Sequence, residues 1–150
     1  MKAYEVKVCV VRECTEETRA ISAENIASFW HDEVSKSAWF DSEKEMFVVF
    51  ILSARNHIKT YNLVSIGLMD ASLVHPREVF RAAILDGAVA VIVAHNHPSG
   101  DLTPSAEDIH ITKQLVEAGK IIQIKVLDHV IIGDKFRYNS IRENGAVNFI

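Results

Sequence analysis

His95, His97, Ser105 and Asp108 bring two imidazoles, a hydroxyl and a carboxylate within fourteen positions of one another. Two histidines and one carboxylate form a three-ligand set of the kind that leaves the fourth position of a catalytic zinc ion for water. Asp101 lies nearer the histidines in sequence and offers another third ligand. Asp108 is the better candidate, because it falls on a predicted helix face. The same residues have an ordinary reading too: histidines two apart in a loop are commonly solvated, and Ser-x-x-Asp is also a helix-start pattern. The flanking segments must decide.

Gly87 to Ala94 is an unbroken apolar run, short and rich in β-branched residues. It reads as a strand buried on both faces in the middle of an α/β sheet. His95 and His97 stand at its carboxyl end. Extended backbone turns residues i and i+2 to one side, and the carboxyl ends of strands are where open α/β sheets bind ligands. Downstream, Thr103 and Pro104 read as the N-cap and first position of a helix. Ile109, Ile111, Leu115, Val116 and Ala118 are its apolar positions and Gly119 its stop. Ser105 and Asp108, three apart, share a face of that helix. That makes Asp108 the third ligand and Ser105 its neighbour, with His110 pointing to the far side. Residues 98–102 supply the turn that doubles the chain back.

The other elements interleave strands and helices. Residues 4–12 alternate and read as a first strand. A helix opening at Ser22 or Ala23 runs through Val34, with Ile26, Phe29 and Trp30 at helical spacing. Met46 to Leu52 and residues 57–66 form a hairpin. His75-Pro76 starts a helix that turns Val79, Phe80, Ala83, Ile84 and Leu85 inward and ends at Gly87. Strands near 121–127 and 129–133 follow, then a polar tail from Tyr138 to Asn144. The expected class is α/β (α+β): a single domain with a central mixed β-sheet flanked by helices. Residues 41–150 form its body, and residues 1–40 add a strand and helix as part of that domain or as a small extension.

Composition bounds the function. The chain has 150 residues, 49% hydrophobic and 24% charged, with a net charge of −4. That length carries one core. Arg77, Arg81, Lys113, Lys120 and Lys125 are scattered, whereas nucleic-acid binding needs clustered positive charge. Nucleic acid is therefore not an expected partner of this chain alone. No apolar run reaches a membrane span and no secretory pattern opens the chain, which points to the cytoplasm. Cys9 and Cys14 lack the spacing of paired zinc ligands and read as reduced thiols. His129 beside Asp128 reads as a hydrogen-bonded structural pair, with Asp128 as an alternative support for a metal ligand. The cysteine pair of zinc deaminases and the His-Glu-x-x-His helix of zincins are both missing.

A metal-bound water needs a group that takes its proton and delivers it to the leaving group, and one carboxylate can do both. Asp41, Glu43 and Glu45 precede the Met46 strand, and spacing alone does not choose among them. His95-x-His97-Pro98-x7-Ser105-x-x-Asp108 resembles the signature of the JAMM metalloproteases, the catalytically competent MPN domains. Residues 92–101, 72–80, 115–119 and 127–133 are similar, more narrowly, to the RadC family, over about residues 42–145. The resemblance implies a compact MPN-type fold and zinc held by His95, His97 and Asp108. It implies a base-acid glutamate at Glu45, and Ser105 steadying the oxyanion or the bound water. The activity implied is hydrolysis of a peptide or isopeptide-like amide in a peptide or protein substrate. Asn96 departs from the Ser or Thr that JAMM isopeptidases usually carry between the histidines, which leaves substrate class open. RadC proteins usually also carry a helix-hairpin-helix module associated with DNA, and this chain opens almost directly on the MPN part. Two other classes stay in view: a non-catalytic MPN-type scaffold, and a DNA-repair accessory that salt-sensitive retention on DNA would reveal. The strand at 4–12 could pair with a second copy as a homodimer.

Overall fold

The computed structural model describes residues 2–5, 18–20, 22–67, 74–134 and 136–150. Most of the strand expected over 4–12, together with Cys9 and Cys14, lies outside the described residues. The elements run α1 (Ala23–Asp32), a 3-10 turn (Val34–Lys36), β1 (Glu45–Leu52), β2 (Ile58–Gly67), α2 (Pro76–Leu85), β3 (Ala90–Asn96), α3 (Ala106–Ile122), β4 (Lys125–Ile132) and β5 (Tyr138–Ser140). The five strands form one sheet in the order β2-β1-β3-β4-β5. β1 is antiparallel to both β2 and β3, β3 and β4 are parallel, and β5 is antiparallel to β4. The sheet is mixed, as expected. Its one parallel pair is joined through α3, the crossover that parallel strands require.

β3 is buried along its whole length, and alternation divides its side chains between two cores. Val91 and Val93 join Phe47, Val49, Phe80, Ile111 and Leu115 under α2 and α3. Ala90, Ile92 and Ala94 join Met46, Val48, Phe50 and, from α1, Ile26, Phe29 and Trp30. Two covered faces explain the continuous apolar run of this strand.

Several boundaries differ from expectation. α3 is capped by Ser105, not Thr103. The Ser105 side chain accepts from Asp108 N–H while the Asp108 side chain accepts from Ser105 N–H. This reciprocal pair satisfies two otherwise orphaned donors, which outweighs the earlier Thr-Pro signal. Gly119 does not stop α3. The helix continues to Ile122 and ends at Gln123, which takes a left-handed φ of 59°. A Cβ on Gly119 would lie 2.5 Å from the Ile124 carbonyl oxygen, so this glycine lets α3 approach β4. The two strands expected around residue 128 are one strand. Its register against β3 jumps from Val91↔Val126 to Ile92↔Asp128, and the extra residue, Leu127, breaks the alternation. In α2, Ile84 and Leu85 are 59% and 54% exposed, and the buried positions are Val79, Phe80 and Ala83. The polar tail contains β5. Among the described residues no helix is long and apolar enough to cross a membrane.

Candidate metal centre

The sheet ends where the chemistry begins. His95 is the penultimate residue of β3, paired with Phe47 of β1 on one side and Ile131 of β4 on the other. His97 lies just past the strand, on the same side as His95. Asp108 sits in the first turn of α3, which crosses back over that side. The capping box fixes its carboxylate: Oδ2 accepts from Ser105 N–H at 2.8 Å, and Ser105 Oγ accepts from Asp108 N–H at 3.1 Å.

The three candidate ligands converge. His95 Nε2 lies 3.2 Å from Asp108 Oδ1, His97 Nε2 lies 3.3 Å from Oδ2, and the two Nε2 atoms are 2.8 Å apart. One ligand atom from each falls within 4.8 Å of the others, the only such group among the described residues. His95 and Asp108 are buried. Asp101 is not part of the group: its carboxylate accepts from Thr103 N–H at 2.9 Å, and its carbonyl contacts His97 Nδ1 at 2.5 Å. His110 is exposed on α3.

The donor chemistry suits a cation. A carbonyl only accepts, so His97 Nδ1 carries a proton and the neutral ring presents a bare Nε2. His95 Nδ1 is engaged by the His129 ring at 2.7 Å, leaving its Nε2 facing the same point. Asp108 Oδ1 is buried and accepts no hydrogen bond among the described residues. Buried polar atoms are ordinarily satisfied, and a divalent ion would satisfy these together. Without one, the charges adjust. The hydrogen bond that His97 donates to Asp108 raises the His97 pKa above its ordinary 6.5 against the opposing effect of burial, with help from the Asp101 carbonyl and the charges of Asp108 and Glu45. Burial would raise the Asp108 pKa, but the adjacent His95 and His97 rings hold it well below the usual carboxylate range.

Glu45 opens β1 opposite Gly67. The β1–β3 ladder ends at Phe47↔His95, and its register carried two residues further sets Glu45 across from His97. Phe47 stacks on His95 with ring centroids 6.1 Å apart and planes at 9°. Alternation therefore puts Glu45 on the face of the histidines. Asn96, between the two histidines, turns its side chain to β1. Its Oδ1 accepts from Met46 N–H at 2.8 Å and its Nδ2 donates to Lys44 C=O at 2.9 Å. The side-chain amide continues the ladder where backbone pairing stops, and it grips the chain on both sides of Glu45. A cleft of about 490 Å3 opens beside Glu45, bounded by Gly67, Pro98 and Ser99.

Two residues beside the site differ from expectation. The Asp128 side chain accepts from the backbone N–H of His129, not from its ring, and also from Ser140 Oγ and Arg142 N–H, at 2.7, 2.6 and 3.1 Å. The His129 ring turns instead to His95 and to Thr112 Oγ1, 2.6 Å away. The supporting partner of the candidate ligand is thus His129 rather than Asp128.

A family model described as a RadC-like JAB domain matches residues 20–146. The chain belongs to the RadC family. The RadC-like domain is 50% identical over 107 residues to a protein of Methanosarcina acetivorans, covering 71% of this chain and 46% of that protein. It is 56% identical over 106 residues to one of Caldanaerobacter subterraneus subsp. tengcongensis, covering 71% and 45%. Against one of Desulfitobacterium hafniense the figures are 52% over 105 residues, covering 70% and 46%. All three are named UPF0758 proteins, a name that states no activity. The chain spans about half the length of these relatives.

Proposed function

We propose that the RadC-like domain is a zinc-dependent hydrolase of peptide or isopeptide-like amides that works through a metal-activated water. The observation that carries this reading is the convergence of two imidazole Nε2 atoms and a buried carboxylate oxygen on one point. Two nitrogens and a carboxylate suit zinc, and three protein ligands leave a position open. Bound zinc would supply a Lewis acid and a water acidified from 15.7 toward about 7.

The chain's own groups supply the rest. His95, His97 and Asp108 would hold the ion. Glu45 takes the proton of the attacking water and returns it to the departing amine as the C–N bond breaks. Serving both atoms requires a fixed carboxylate. Gly67 on one flank and the Asn96 amide on the other hold the backbone that carries it. The Ser105 cap uses a lone pair of Oγ, so its O–H can donate to the oxygen that gains charge in the transition state, a contribution of about 3 kcal/mol for a comparable donor. The substrate would enter along the cleft beside Glu45.

The test is metal analysis of the purified chain with an unbiased peptide and isopeptide cleavage screen, wild type against Glu45→Gln. The expected result is about one zinc per chain in both, with cleavage reduced at least ~100-fold in the variant. Equal cleavage by both removes Glu45 as the base. Zinc in both with cleavage by neither makes the domain a binding module whose metal serves folding. No metal uptake overturns the reading.

A further inference from the structure

We infer that Thr112 and His129 are positioning residues that fix the tautomer of His95 and so aim its Nε2 lone pair at the metal position. The inference rests on the metal-site reading above and adds two residues that touch neither ion nor substrate. Both are fully buried behind the ligands.

The direction of each hydrogen bond follows from what its partner can do. Thr112 has one hydroxyl proton. Its Oγ1 lies 2.5 Å from the Asp108 backbone carbonyl, and a carbonyl can only accept. The hydroxyl proton is therefore committed there. Toward His129 Nδ1, 2.6 Å away, the hydroxyl can offer only a lone pair, so that nitrogen must carry a proton. In that tautomer the other ring nitrogen is the acceptor. His129 Nε2 is therefore bare and accepts from His95 Nδ1 at 2.7 Å. His95 in turn keeps its proton on Nδ1 and leaves Nε2 bare. The chain of bonds starts on the backbone of one candidate ligand, Asp108, and ends on the ring of another, His95. Phe47 closes it from the side, stacked on His95 and edge-on to His129 with centroids 5.4 Å apart. Without the Thr112 hydroxyl, His129 can take the other tautomer and donate to His95 Nδ1. That ring would then protonate Nε2 and lose its lone pair to the site.

Two measurements test this. Nitrogen-15 imidazole shifts of the zinc-loaded and metal-free chain should show His129 as the neutral Nδ1–H tautomer. Zinc affinity by chelator competition should fall on the order of tenfold or more in Thr112→Val, the usual cost of losing a partner behind a ligand, and recover in Thr112→Ser. A merely structural role would lower stability without moving either tautomer or affinity. Finding His129 protonated on Nε2 overturns the inference, as does an unchanged zinc affinity in a folded Thr112→Val. If that variant does not fold, the wild-type shifts decide. A wild-type chain that takes up no zinc fails at the earlier step and takes this inference with it.

Discussion

His97 commits one ring nitrogen to the Asp101 carbonyl and turns the other toward Asp108. That division makes the ring a candidate ligand and also makes it titrate. In the metal-free chain the hydrogen bond to Asp108 keeps the imidazolium stable above the ordinary 6.5, and a proton on Nε2 competes with any ion there. Metal ligands must be deprotonated to bind. The sign follows: zinc affinity is highest on the alkaline side and falls as pH drops through the raised His97 value, by about tenfold per pH unit for one competing proton. The decline should begin above pH 6.5 rather than at it. Chelator competition between about pH 8 and pH 6 measures this, and a flat profile removes His97 from the ligand set. His97→Ala and Asp108→Ala should both reduce bound zinc from about one per chain toward zero at any of these pH values, since three protein ligands hold a catalytic zinc. At this scale the sequence was most readable. Ligand types and spacing name His95, His97 and Asp108, because strand alternation and helix periodicity turn spacing into direction. Adjacency in sequence suggests His129 as the partner of Asp128. In a strand, neighbouring side chains face opposite sides of the sheet, and the ring of His129 joins the site while Asp128 turns away.

Elements position these residues through a few close approaches, and Gly119 makes one of them. It lies inside α3, where alanine would ordinarily add about 1 kcal/mol of helix stability. Here the new Cβ would sit 2.5 Å from the Ile124 backbone carbonyl and 3.3 Å from Val126. A backbone oxygen has little freedom to move, and overpacking of this kind costs about 1–3 kcal/mol. The clash is the larger effect, so Gly119→Ala should destabilise the chain, read as a lower urea midpoint. Asp108 lies three turns away at the start of α3, so zinc stoichiometry should hold. A stabilised variant would show that α3 can move away from β4. The misread boundaries share one cause. Glycine, proline and polar residues punctuate a sequence, but tertiary contacts decide which punctuation acts. Ser105 caps α3 two residues after Thr103 because Asp108 answers it. Gly119 serves packing, and Leu127 is a bulge that split one strand into two readings. β3, whose pattern is set by burial on both faces, was legible because its neighbours leave no other choice.

The whole molecule sandwiches one sheet between α1 and the α2–α3 pair, and the candidate site lies at the carboxyl end of the parallel β3–β4 pair. Asp128 ties the far side of that pair to the end of the chain. Its carboxylate collects His129 N–H, Ser140 Oγ and Arg142 N–H, joining β4 to β5 and to the turn that follows. Burial raises its pKa above 3.8, and these bonds only partly offset the rise. The folded chain thus holds this proton at pH values where the unfolded chain has lost it. By linkage, stability contributed by this group is greatest at and below 3.8 and declines as pH rises through the raised value. Asp128→Asn removes the titration while keeping the shape: its oxygen can serve both N–H groups and its amide can donate to Ser140 Oγ. Asp128→Ala leaves three partners unanswered, the His129 and Ser140 ones buried, a loss on the order of 3 kcal/mol. Urea unfolding of all three proteins at pH 7 and about pH 4.5 separates charge from anchoring. The wild type should lose stability relative to Asp128→Asn between the acid and the neutral measurement, while Asp128→Ala should lie well below both at either pH. Parallel pH dependence in the wild type and Asp128→Asn would mean that Asp128 titrates as it does in the unfolded chain, and that its three hydrogen bonds compensate its burial in full.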